Sequence, residues 1–119
     1  MKNERNMSNT LLIRDETFQG TCIRQQELSL EGEKASVREI IAAKVMAEVE
    51  LYNRKARALH AGLWKVSAQV AQVDVEAQIA LAWEAFQTRA FYVLINSIEA
   101  LSLDEIVPLR RNLVVSFLK

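Results

Sequence analysis

Apolar residues recur three and four apart within residues 36–53: Val37, Ile40, Ile41, Val45, Met46, Val49 and Tyr52 form one stripe, while Arg38, Lys44, Glu48 and Glu50 fall largely off it. Ser36 and Glu39 open the stretch in capping-box form, the Ser36 hydroxyl accepting from the Glu39 amide while the Glu39 carboxylate reaches back to the Ser36 amide. The spacing predicts an amphipathic helix with one buried face, and the flanking segments supply strands for it to pack on. Leu11 to Arg14 is a run of strand formers, and Asp15 to Gly20 carries turn residues. Apolar and polar residues then roughly alternate from Thr21 to Leu30, which predicts a half-exposed second strand of a hairpin. Arg24-Gln25-Gln26-Glu27 breaks that alternation, predicting a bulge or a strand that leaves the sheet early.

Glu31 to Lys34 is a polar turn leading into the helix. Beyond Asn53 the pattern loses its period and Gly62 interrupts it, so Arg54 to Val73 is an excursion of uncertain, partly helical structure. Asp74 is a plausible N-cap for a second helix, with Val75, Ile79, Ala82, Trp83 and Phe86 on one face and an end near Arg89. Phe91 to Ile95 is continuously apolar and predicts a strand central in the sheet. Asn96-Ser97 makes a tight turn, Ile98 to Ala100 returns briefly, Leu101 to Glu105 is a connecting loop, and Pro108 bars a regular helix around it. Leu113 to Leu118 is the final strand. This order predicts an α+β fold, a mixed sheet packed on one main helix with a helical insertion before the third strand. With the terminal strand beside the first it is the β-grasp arrangement; a ferredoxin-like α+β sandwich is the alternative.

Composition narrows this picture. A chain of 119 residues, 50% hydrophobic and 25% charged, suits one domain, assigned to residues 11–119 after a flexible stretch at 1–10, with 54–74 as the insertion. Fifteen basic residues balance fifteen acidic ones, and the pI is about 6.6, so no global field draws the protein to nucleic acid or an anionic membrane. The start is polar and no apolar run approaches a membrane span, which points to a cytoplasmic protein.

The residues from Phe91 onward carry a family likeness. Phe91-Tyr92-Val93-Leu94-Ile95-Asn96, then Leu101 to Leu109, then Val114-Val115-Ser116-Phe117-Leu118-Lys119 resemble the closing half of ubiquitin-like β-grasp proteins of the bacterial sulfur-carrier type. Leu12 to Thr17 and Ser36 to Ile41 resemble the first strand and the helix start of that family. Ser97 stands where the family usually has Gly, and Arg110-Arg111-Asn112-Leu113 replaces its polar turn. The resemblance implies a small non-enzymatic protein acting by protein–protein interaction, with an adenylating activating enzyme or another protein as partner. In that family the chemistry belongs to a flexible tail ending in Gly-Gly. The sequence ends at Lys119, so no residue receives that assignment, and tail chemistry is expected to be absent. The alternative is a non-conjugating interaction or scaffold module of the same fold.

Individual side chains offer little independent chemistry, and no catalytic, cofactor-binding or metal-binding residue is assigned. Cys22 is single and reads as a small buried or edge residue, and His60 has no second histidine to pair with. Asp104 and Glu105 are adjacent and point apart, which suits turn capping over acid–base work. Arg54-Lys55 with Arg57, and Arg110-Arg111, are short enough to be solvated surface. Trp64 is either core or an exposed anchor for a partner.

Overall fold

A computed structural model of the chain describes residues 8–58 and 73–119. In chain order the elements are β1 (Ser8–Glu16), β2 (Cys22–Glu31), β3 (Lys34–Ser36), α1 (Val37–Ala58), α2 (Val75–Gln87), β4 (Tyr92–Ile95), β5 (Ile98–Glu99), β6 (Ile106–Pro108) and β7 (Leu113–Leu118). They build an α+β fold: a five-stranded mixed sheet in the order β2-β1-β7-β4-β5, two helices, and a separate two-stranded ladder of β3 with β6. The terminal strand β7 lies parallel to β1, and every other pair is antiparallel.

Strand periodicity sorts the two faces of the sheet. Leu11 is opposite Leu28 and Leu113, Ile13 is opposite Gln26 and Val115, and Val93 is opposite Phe117, so these residues share the inner face. There Leu11, Ile13, Val93, Leu113, Val115 and Phe117 are buried with Val37, Ile40 and Ile41 of α1 in one continuous core, with Leu28 half-buried against it. Burying each such aliphatic side chain contributes about 1.5–3 kcal/mol, which makes the α1–sheet contact the main source of stability. The helix begins where the capping box predicts: Glu39 N donates to Ser36 Oγ (3.1 Å) and Ser36 N donates to Glu39 Oε1 (2.8 Å). The next two amides also find partners, Val37 N donating to Glu105 O and Arg38 N to Leu103 O, so the 101–105 loop seats the start of α1.

Some expectations hold and others need correction. The helix continues past Asn53 to Ala58, so the excursion, expected to be partly helical, begins as regular helix. Its other end is pinned too: Val73 N donates to Asn53 Oδ1 (2.8 Å) and Asn53 Nδ2 donates to Val73 O (3.1 Å). Residues 59–72, and with them His60, Gly62 and Trp64, lie outside the described residues. Met46 is 53% exposed and Lys44 only 5%, the reverse of the expected assignment. At about 100° per residue, Met46 stands about 180° around the helix from Val37, whereas Lys44 lies between Ile40 and Ile41.

The hairpin does carry a bulge, but at Ile23: Glu16 is opposite Cys22 and Asp15 is opposite Arg24, while Arg24 to Glu27 stays in the ladder. Lys34 to Ser36 is a strand and not only a turn. The centre of the sheet is β7, not the Phe91–Ile95 run; β4 starts at Tyr92 and has only the two-residue β5 beyond it. Phe91 instead packs between Phe86 and Phe117, with ring centroids 6.0 and 5.8 Å away. The Asn96-Ser97 turn has φ of 48° and 73°, so Ser97 adopts the left-handed conformation that Gly occupies more readily.

Asp74 caps α2, accepting from Glu76 N at 3.1 Å. Trp83 of α2 donates from Nε1 to Arg38 O (3.0 Å), and the Arg38 guanidinium lies 5.0 Å from its ring centre, fastening α2 across α1.

Candidate interaction surface

The opposite face of the sheet carries the other set of strand positions. Cross-strand register places Glu16, Leu118 and Tyr92 in one row, Gln25, Arg14, Ser116 and Leu94 in the next, and Glu27, Leu12 and Val114 in a third. Both helices pack on the inner side, so among the described residues this outer face has no helix over it. Leu12, Val114, Leu94, Leu118 and Tyr92 are half-buried by one another, and Phe18 (63% exposed) meets Tyr92 edge-on at 5.7 Å.

At the middle of this apolar surface lies a polar network. Arg14 Nε donates to Glu16 Oε2 (2.6 Å), Arg14 Nη1 donates to Gln25 Oε1 (2.9 Å), and Ser116 Oγ donates to the same Glu16 oxygen (3.2 Å). The hydrogen bond from Arg14 holds the Glu16 carboxyl below the usual carboxylate range, helped by Ser116 against partial burial. In turn the hydrogen bond to Glu16 raises the Arg14 guanidinium further. The pair is locally neutral, so the surface offers apolar contact with fixed hydrogen-bonding groups. Next to it, a groove of about 600 Å³ runs along Asn9, Thr10, Leu12, Glu27 and residues Arg111 to Val114.

On the inner side a second polar cluster surrounds the buried Lys44. Lys44 Nζ lies 3.1 Å from Asp15 Oδ1 and 2.5 Å from Glu48 Oε2, with the Phe117 ring centre 4.8 Å away. These groups border a groove of about 340 Å³ between α1 and α2, lined also by Val45, Val49, Leu81 and Phe91.

The residues singled out by sequence fall into separate places. Cys22 is half-exposed at the start of β2, its thiol donating to Arg24 O at 3.4 Å. Asp104 pairs with Arg38 (3.3 Å), and Glu105 Oε1 accepts from Leu101 N (3.1 Å), so both carboxylates organise the loop under α1. Arg111 borders the outer groove, far in sequence from Arg54 and Lys55, which are exposed on α1. Sequence reasoning missed the Arg14–Glu16 pair and Lys44. Period-two spacing from Leu12 would have put Arg14 and Glu16 on one outer face, and the helical period from Ile40 and Ile41 would have put Lys44 inside.

Among the described residues, no group of three or more His, Cys, Asp or Glu is placed to hold a metal ion. No described helix is long and apolar enough to cross a membrane. No family model, curated protein or solved structure matches the chain.

Proposed function

We propose that this chain is a ubiquitin-like β-grasp protein of the sulfur-carrier type, acting by binding other proteins through the outer face of its sheet. The observation that carries the reading is the parallel pairing of β1 with β7 at the middle of the sheet, each strand continuing into an antiparallel neighbour, with α1 laid across the inner face. That connectivity speaks for β-grasp over the ferredoxin-like alternative, in which the first strand leads into a helix instead of a hairpin. The apolar outer face supports an interaction role, since a surface of Leu12, Leu94, Val114, Leu118 and Tyr92 gains by being covered. The partner expected from the family likeness is an adenylating enzyme.

The test is ATP–pyrophosphate exchange with each adenylating activating enzyme of the same genome, using the chain carrying a C-terminal linker and Gly-Gly. Exchange that is weakened by Leu12→Glu supports the carrier-type reading. No exchange with any of them removes it and leaves the non-conjugating interaction module, which the same outer face equally suits.

A further inference from the structure

The outer edge of β2 is a long row of backbone groups without a strand partner among the described residues. β2 has ten residues and β1 as its one neighbour, whereas β5 at the opposite edge has two. Such a row of N–H and C=O groups templates another strand unless Pro, Lys, a bulge or a covering element blunts it. β2 contains neither Pro nor Lys; its charges are Arg24 on the inner face and Glu27 and Glu31 on the outer, which discriminate among incoming strands by charge, and its bulge at Ile23 leaves Arg24 to Glu31 in unbroken register over roughly 25 Å. The edge is also preorganised: Gln25 is held by Arg14 (2.9 Å), the Ser29 and Thr10 hydroxyls are 3.5 Å apart, and Asn9 Nδ2 donates to Gly32 O (2.8 Å). An incoming strand therefore bears little of the ordering cost on this side.

We propose that β2 accepts an extended segment of a partner protein as a sixth strand of the sheet, and that this segment alternates basic and apolar residues. Glu27 and Glu31 are exposed on the outer face of β2, and Leu28 and Leu30 are half-buried on its inner face. A strand placing Lys or Arg opposite the two glutamates and β-branched residues opposite the two leucines matches both faces at once. A second copy of this chain matches them poorly. In the antiparallel two-fold register that sets Leu28 on Leu30, Glu27 of one copy faces Glu31 of the other, twice by symmetry, and like charges directly opposite are destabilising. Moving the register to set Leu28 on Leu28 puts Gln26 against Leu30 and loses the apolar match. The proposal rests on this edge and holds whether or not the ubiquitin-like reading does.

The probes are the palindromic capped peptides Ac-TKVTVKT-NH2 and Ac-TEVTVET-NH2, which present the same pattern in either strand direction. With the basic peptide at ~1 mM, exchange of the amides between Arg24 and Glu31 that point away from β1 should slow about tenfold, with chemical-shift changes along β2 and not along β5. The acidic peptide should do neither, and Glu27→Lys combined with Glu31→Lys, both exposed, should exchange the two peptides' effects. N-methylation of backbone nitrogens on both edges of the basic peptide should abolish them. No protection of β2 by the basic peptide, or equal protection by both, overturns the proposal. Concentration-dependent dimerisation of the chain alone that protects the same amides overturns it in favour of a second copy.

Discussion

Lys44 Nζ stands 3.1 Å from Asp15 Oδ1, a cation from the buried face of α1 meeting a carboxylate on the inner face of the first strand. The Lys44 side chain is 6% exposed, and Asp15 Oδ1 is buried without a hydrogen bond of good geometry, so this ion contact is its compensation. Removing one member of a buried pair leaves the other's charge desolvated. Lys44→Met should therefore destabilise by about 2–4 kcal/mol, and Asp15→Asn on top of it should restore part of the loss. Urea denaturation of the two single variants and the double variant measures the coupling; strict additivity would show that the two groups do not interact.

The outer network gives a pH dependence of defined sign. Glu16 is held below its ordinary value in the folded state by Arg14, so its contribution to stability is present above the unfolded carboxylate value of about 4.3 and is lost as pH falls through the folded one. Glu16→Gln should be less stable than the parent at pH 7, and the difference should shrink toward zero in acid. The effect is modest and decreases with salt because the network lies at the sheet surface. Denaturation midpoints across the acid range decide it, and a difference independent of pH would contradict the assignment.

Ser97 takes φ of 73° between β4 and β5. Ser97→Gly relieves left-handed strain but loosens the unfolded chain, for a net gain of roughly 0.5–1 kcal/mol, while Ser97→Val should lose about 1–2 kcal/mol. Thermal melts of the pair test the turn geometry: equal effects would mean that the residue is not left-handed.

Two apolar positions on α1 should behave oppositely. Ile41 is 1% exposed and Met46 is 53% exposed. Ile41→Ala should destabilise by about 2–5 kcal/mol, and Met46→Ala should change stability by less than about 0.5 kcal/mol. Similar losses from both would place Met46 in the core and rotate the helix.

The elements that local chemistry specifies were legible in the sequence. The Ser36–Glu39 box starts α1, Asp74 starts α2, and Asn96-Ser97 turns the chain, because each depends on neighbours a few residues away. Much of what failed depended on pairing between distant segments. The centre of the sheet passed from Phe91–Ile95 to Leu113–Leu118 because β7 is flanked on both sides, a consequence of strand order that no local run encodes. Ile23, apolar and 69% exposed, marks a bulge whose position follows from register with Asp15 and Glu16. Lys44 was set aside as a charge, although its angular position on the helix was already that of a core residue. Of the candidate surface, Arg14 and Glu16 could have been placed on one face by strand period. Their closing partners Ser116 and Gln25 could not, since those come from strands on either side of β1.

The claim that the outer sheet face is the working surface is tested most directly by titrating the isotope-labelled chain with the adenylating enzymes of its genome and following each backbone amide. The account predicts that at least one of them perturbs Leu12, Leu94, Val114 and Leu118 together, and that Leu12→Glu, which leaves the inner core intact, abolishes the perturbation. Binding that perturbs the α1–α2 side while those outer-face amides stay unchanged would contradict it.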